Sequence, residues 1–141
     1  DRFLRGDRNA LNAQEKAGYD LFKSLGCISC HQGMNVGGNL YEKLGLIEDY
    51  FLSHEDMQGI HLGRYNITRK ESDRYKFRVP SLRNVALTAP YLHDGSANSL
   101  EVAVAIMGKY QLGVELREDE IDKIVSFLEA LTGEFKDWGG N

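Results

Sequence analysis

The chain has only two cysteines, Cys27 and Cys30, with two residues between them and His31 directly after, in the run LGCISCHQG. This triplet constrains the fold more than any other feature. Four chemistries use such a pair: a dithiol redox couple, half of a zinc site, a disulfide staple and covalent haem attachment. Each asks for different surroundings.

Composition narrows the background. With 141 residues, 42% of them hydrophobic, the chain is long enough for one domain with a proper core, and 1–141 reads as a single unit. A formal charge of −4 and the lack of any lysine or arginine run argue against a nucleic-acid partner. Seven tyrosines and six phenylalanines argue against disorder. No apolar run approaches the roughly 18 residues that cross a bilayer. The chain opens on DRFLRGDRN without an initiator methionine, which reads as a processed protein or a piece of a longer one.

Periodicity predicts helices and loops. Asn12 followed by Glu15 forms a capping box that opens a helix with Ala17, Leu21, Phe22 and Leu25 on its apolar face, ended by Gly26. GMNVGGN reads as loop, and Tyr41 to about Asp73 as loop with short helical turns. Pro80 and Pro90 bracket room for one short helix around Ser81 to Leu87. Asn98 or Ser99 caps a helix through LEVAVAIM that Gly108 closes. The last helix begins near Glu118 on an acidic first turn, places Ile121, Ile124, Val125, Leu128 and Leu131 on one face, and stops at Gly133. No strand pattern of similar quality and no internal repeat is present. The expected fold is mostly α, with long loops that need something to pack against.

The cysteine pair can then be weighed. A disulfide across so small a loop has little effect on the unfolded chain. A thioredoxin-like pair belongs between a strand and a helix, whereas this one follows a helix and precedes a glycine loop. Zinc needs a fourth ligand from His54, His61 or His93, and directly adjacent Cys and His rarely converge on one ion. Haem attachment accounts for all three residues: two thiols for two vinyl groups, and the next imidazole for the iron. The iron's sixth position has six candidates: Met34, Met57, Met107, His54, His61 and His93. Met34 is three residues from His31 and reaches only about 10 Å, too little to round the ring. Met107, at the end of a predicted helix, projects from a rigid element, although most methionines simply fill cores. Spacing leaves Met107 and the remaining candidates open.

FRVPSLRNVALTAPYLHDGS, MGKYQLG and IVSFLEALTG, together with DRFLRGDRNALNAQEKAGYDLFKSLGCISCH and VGGNLYEKLG, closely resemble the C-terminal half of bacterial dihaem cytochrome c peroxidases. The resemblance covers nearly the whole chain. It implies a cytochrome c-like fold and one covalent haem c held by Cys27 and Cys30. His31 matches the proximal ligand of the high-potential haem and Met107 its distal ligand. Thr88 and Pro90 match positions whose carbonyls bind a calcium ion between the family's two domains. His93 matches a histidine near the inter-haem region, with a hydrogen-bonded loop histidine as the plain alternative.

Family members carry two haem motifs and this chain carries one. The resemblance therefore implies a missing N-terminal peroxidatic domain, with its catalytic glutamate and its share of the calcium ligands. The expected role is electron relay from a small cytochrome or cupredoxin to the peroxidatic haem, in an exported, periplasmic enzyme whose relatives are often dimers. No catalytic residue is expected in this half. The rival readings are a stand-alone monohaem electron carrier and a haem-based sensor. Trp138 is either a relay aromatic or an ordinary packing residue.

Overall fold

The computed structural model describes residues 1–53 and 59–133. His54, Met57 and Trp138 lie outside the described residues. The scaffold is helical: α1 (Ala13–Ser24), α2 (Tyr65–Thr68), α3 (Leu100–Ile106) and α4 (Glu118–Glu129), joined by long loops that include several 3-10 turns.

The two long helices start as their sequences dictate. The Asn12 side chain accepts from the Glu15 amide at 2.9 Å, while the Glu15 carboxylate accepts from the Asn12 amide at 2.8 Å. This reciprocal pair satisfies two donors that the first turn leaves over. At α4, the Glu120 carboxylate accepts from the Arg117 amide, and Glu118, Asp119 and Glu120 face the positive helix end. Ser99 caps α3 through the Val102 amide.

Helices α1 and α4 pack against each other over most of their length. Tyr19 and Phe22 each set a ring centroid 5.3 Å from that of Phe127, and Gln14 reaches Ser126 across the pair at 3.0 Å. Gly18 makes this approach possible. A Cβ there would stand 1.8 Å from the Lys123 carbonyl oxygen. Phe22, Ile124, Val125, Phe127 and Leu128 join Leu82, Val85, Leu100 and Val104 in the core. Of the stripe expected on α1, Phe22 is buried and Ala17, Leu21 and Leu25 are half-buried. Of that on α4, Ile124, Val125 and Leu128 are buried and Ile121 and Leu131 half-buried, with Phe127 as an addition the periodicity did not give.

Three local expectations are corrected. Gly108 does not close α3. The chain runs on through a π-helical segment, Met107–Leu112, and ends at Gly113 with φ +67°. Gly108 serves packing instead, because a Cβ would meet the Leu116 side chain at 2.9 Å. The helix expected over Ser81 to Leu87 shrinks to one 3-10 turn, Val85–Leu87, since Asn84 takes φ +60° and the Ser81 hydroxyl donates to the Asn35 carbonyl. Within the expected loop lies a strand, β1 (Tyr41–Lys43), paired antiparallel with β2 (Lys76–Arg78), Glu42 opposite Phe77. Among the described residues, no helix is long and apolar enough to cross a membrane.

Candidate functional site

Helix α1 delivers the cysteine motif. Its C-cap is Leu25, and Gly26 takes φ +94°, a left-handed turn that glycine adopts at no steric cost. The chain then winds into a single 3-10 turn, Cys27–Ser29, and the His31 amide donates to the Cys27 carbonyl at 3.0 Å. Cys27, Cys30 and His31 are thus fixed on one tight turn at the end of a packed helix.

The two thiols are not bonded to each other, and both are half-buried. Burial pushes the Cys27 thiol up to about 11, and burial also raises Cys30. A redox dithiol works the other way, through a depressed thiol pKa. These cysteines suit a role in which sulfur stays uncharged, as in a thioether.

His31 is seated by parts of the chain far from it in sequence. Burial pushes its imidazole below the usual range, against the pull of the Pro80 and Val36 carbonyls. The ring is therefore neutral near pH 7, the form that ligates metals. Its Nδ1 is buried without a hydrogen-bond partner. Gly37 permits the arrangement. A Cβ on Gly37 would lie 2.0 Å from the Pro80 carbonyl oxygen and 3.3 Å from His31 Nδ1. Neither Gly37 nor the Pro80 carbonyl stood out in the sequence. The nearest sign was the paired glycine of NVGGN, which marks only a loop.

A mainly apolar cavity of about 490 Å3 opens beside His31, walled by Phe22, Ile28, Met34, Arg83 and Leu131 among others. Cys27, Cys30 and Met107 do not line it, so it flanks the motif from one side.

The remaining predicted residues fall in three places. Met107 is half-buried at the junction of α3 and the π-helical segment. Met34 is 85% exposed, and its carbonyl accepts from Arg83. His61 and His93 lie together, with His61 Nδ1 and His93 Nε2 2.8 Å apart. Thr88 precedes the Ala89–Pro90 cis peptide, of which Pro90 is part, in an exposed loop.

No protein-family model matches the chain. Among curated proteins it is 48% identical over 138 residues to the cytochrome c551 peroxidase of Nitrosomonas europaea, covering 98% of this chain and 40% of that protein. It is 47% identical to the cytochrome c peroxidase of Escherichia coli, over 94% of this chain and 28% of the relative. Among solved structures, a MauG-like protein associated with microbial copper homeostasis superposes with a TM-score of 0.78 at 26% identity, over 94% of this chain and 47% of that one. The chain is thus similar in sequence and fold to the class of cytochrome c peroxidases and MauG-like proteins. More particularly, the chain is a partial relative of the bacterial cytochrome c peroxidases, spanning less than half the length of those it matches.

Proposed function

We propose that this chain is the electron-transfer domain of a dihaem cytochrome c peroxidase. It would carry one haem c held by Cys27 and Cys30 as thioethers, with His31 and Met107 as axial ligands. The observation that supports this most is the seat of His31. Burial keeps the ring neutral, the form that ligates metals, and its Nδ1 is enclosed beside Gly37, which would leave Nε2 as the nitrogen to ligate. Bound in that seat, haem supplies reversible one-electron exchange between ferric and ferrous iron.

The chain's own residues decide how that exchange is used. Cys27 and Cys30, neutral and fixed on one turn, anchor the macrocycle beside the imidazole. Met107 projects from a continuous helical segment, so its thioether is carried on a rigid element. Ligation by methionine and histidine raises the potential, because soft sulfur stabilises ferrous iron. It would also leave no vacancy for peroxide. Relay fits these residues better than catalysis.

In the whole enzyme, the electron would come from a small soluble cytochrome or cupredoxin. The name cytochrome c551 peroxidase, carried by a relative, supports a cytochrome donor. The electron would pass to a peroxidatic haem in a second domain, where hydrogen peroxide is reduced to water. Attachment of haem through this motif suits a periplasmic enzyme. The Thr88 and Pro90 carbonyls would contribute part of a calcium site completed by that other domain.

The test is a visible spectrum of ferric and ferrous protein, with Met107→Ala alongside. A low-spin c-type spectrum whose ferric Met–iron charge-transfer band disappears in the variant is expected. A red protein that the substitution leaves unchanged would remove Met107 from the iron, and a colourless one would remove the haem.

A further inference from the structure

We propose that His61, His93 and Asp94 form a metal site for a divalent, imidazole-preferring cation such as zinc, separate from the cysteine motif. Among the described residues, these three offer one nitrogen or oxygen each within 4.8 Å of one another. The site is independent of the function proposed above, since it uses none of Cys27, Cys30, His31 or Met107.

The loops that bring the histidines together are well tied. His61 sits in the 3-10 turn Gly59–Leu62 and is 8% exposed. That turn is pinned to the strand side of the molecule, where the Tyr75 amide donates to the Leu62 carbonyl and the Arg64 amide to the Lys76 carbonyl. His93 comes from the loop that Tyr91 and Ala97 close through two backbone hydrogen bonds. Aromatic rings wall the pair. Phe77 lies 4.3 Å from the His93 ring, and Phe51 lies 5.6 Å from His61 and 6.0 Å from His93, itself stacked on Tyr75 at 4.7 Å. The imidazoles are therefore held close together among aromatic rings, with an Asp94 carboxylate oxygen within 4.8 Å.

The donor set suits the ion. One oxygen of Asp94 accepts from the Ser96 amide and hydroxyl, at 3.0 and 2.7 Å, which leaves the other oxygen for a cation. Burial opposes ionisation of Asp94, but those hydrogen bonds and the nearby His93 outweigh it, so the carboxylate is charged at neutral pH. Two imidazoles and a carboxylate are a ligand set for zinc and its neighbours, with a position left open for water. Bonds of about 2.0–2.2 Å require donors roughly 3.3 Å apart, so the nitrogens, now 2.8 Å apart, need to part by about half an ångström. As the cation takes the place of the proton between the two rings, the donor ring's proton moves through solvent to that ring's other nitrogen, so both imidazoles ligate in the neutral form.

The test is calorimetric titration of the chelator-treated full chain with zinc chloride, against His61→Gln and Asp94→Asn. The cysteine motif contributes equally to all three proteins, so the difference between them reports this cluster alone. Asp94→Asn keeps an oxygen for Ser96, and a matched far-UV spectrum shows that it folds. Each substitution is expected to weaken one zinc-binding event by more than about 10-fold, the loss that even a supporting partner of a metal ligand causes. Titrations that superimpose on the unsubstituted protein would overturn the site. Weakening by His61→Gln alone would overturn the three-ligand set.

Discussion

Replacing Gly18 with alanine sets two physical effects against each other. Gly18 lies inside α1, where alanine is the better helix former by about 1 kcal/mol. Propensity alone therefore makes Gly18→Ala more stable. The structure makes it less so. The new methyl would sit 1.8 Å from the Lys123 carbonyl oxygen, 2.5 Å from its carbon and 3.0 Å from Phe127 Cβ. Two of these atoms are backbone and cannot rotate away, so α4 would have to retreat by about 1.6 Å to reach ordinary contact. Overpacking of this kind costs typically about 1–3 kcal/mol, and a clash against main chain belongs at the upper end. The net expectation is a loss of about 2 kcal/mol, or a melting temperature lower by roughly 4–10 °C. Thermal unfolding followed at 222 nm measures it. A variant as stable as the parent, or more so, would refute the argument that Gly18 exists for the helix crossing.

Two further predictions concern the His31 seat and the charged end of α4. Gly37→Ala drives a methyl into the Pro80 carbonyl at φ +126°, so the fraction of purified chain carrying haem should fall while helical content persists. Unchanged haem loading would separate Gly37 from His31. Lys123 and Arg117, hydrogen-bonded to the Asp119 carboxylate, hold its pKa down from 3.8 to about 2. Because the folded value is depressed, the contribution is complete above about pH 4 and disappears as pH falls through 2. The urea midpoint of Asp119→Asn should thus differ from the parent at neutral pH and converge with it in acid. A difference independent of pH would show that the carboxylate charge is not its source.

What could be read in advance was local. The Asn12–Glu15 box, the Ser99 cap and the acidic opening of α4 each lie within four residues, and the apolar stripes of α1 and α4 repeat every turn. The cysteine–histidine triplet is local too. The missed features are pairings over long separations. Strands β1 and β2 are three residues each, too short for alternation to show, and their partners lie some 35 residues apart. Gly108 looked like a terminator because glycine so often ends helices, yet here it makes room for Leu116, a contact no helical pattern encodes. The Pro80 carbonyl at His31 escaped notice for the same reason. It is a backbone atom, brought there by the tertiary fold, and side-chain identities do not announce it.

The pairing of β1 with β2 has a consequence for how the chain tolerates change. At its base, the Gly38 amide donates to the Val79 carbonyl at 2.8 Å, and the Val79 amide returns a bond to Leu40 at 3.0 Å. Residues 39–78 thus leave and rejoin at nearly one point, and between those ends the Ile47 and Glu48 amides donate to the Tyr110 carbonyl of the π-helical segment. The path length between those two points does not set the distance between α1 and the residues that seat His31. Closing a longer excursion costs entropy only as the logarithm of its length, about 0.6 kcal/mol for each doubling. Length can therefore change within this segment without moving the cysteine–histidine turn, provided the change spares Phe51, His61 and Phe77, which pack around His93.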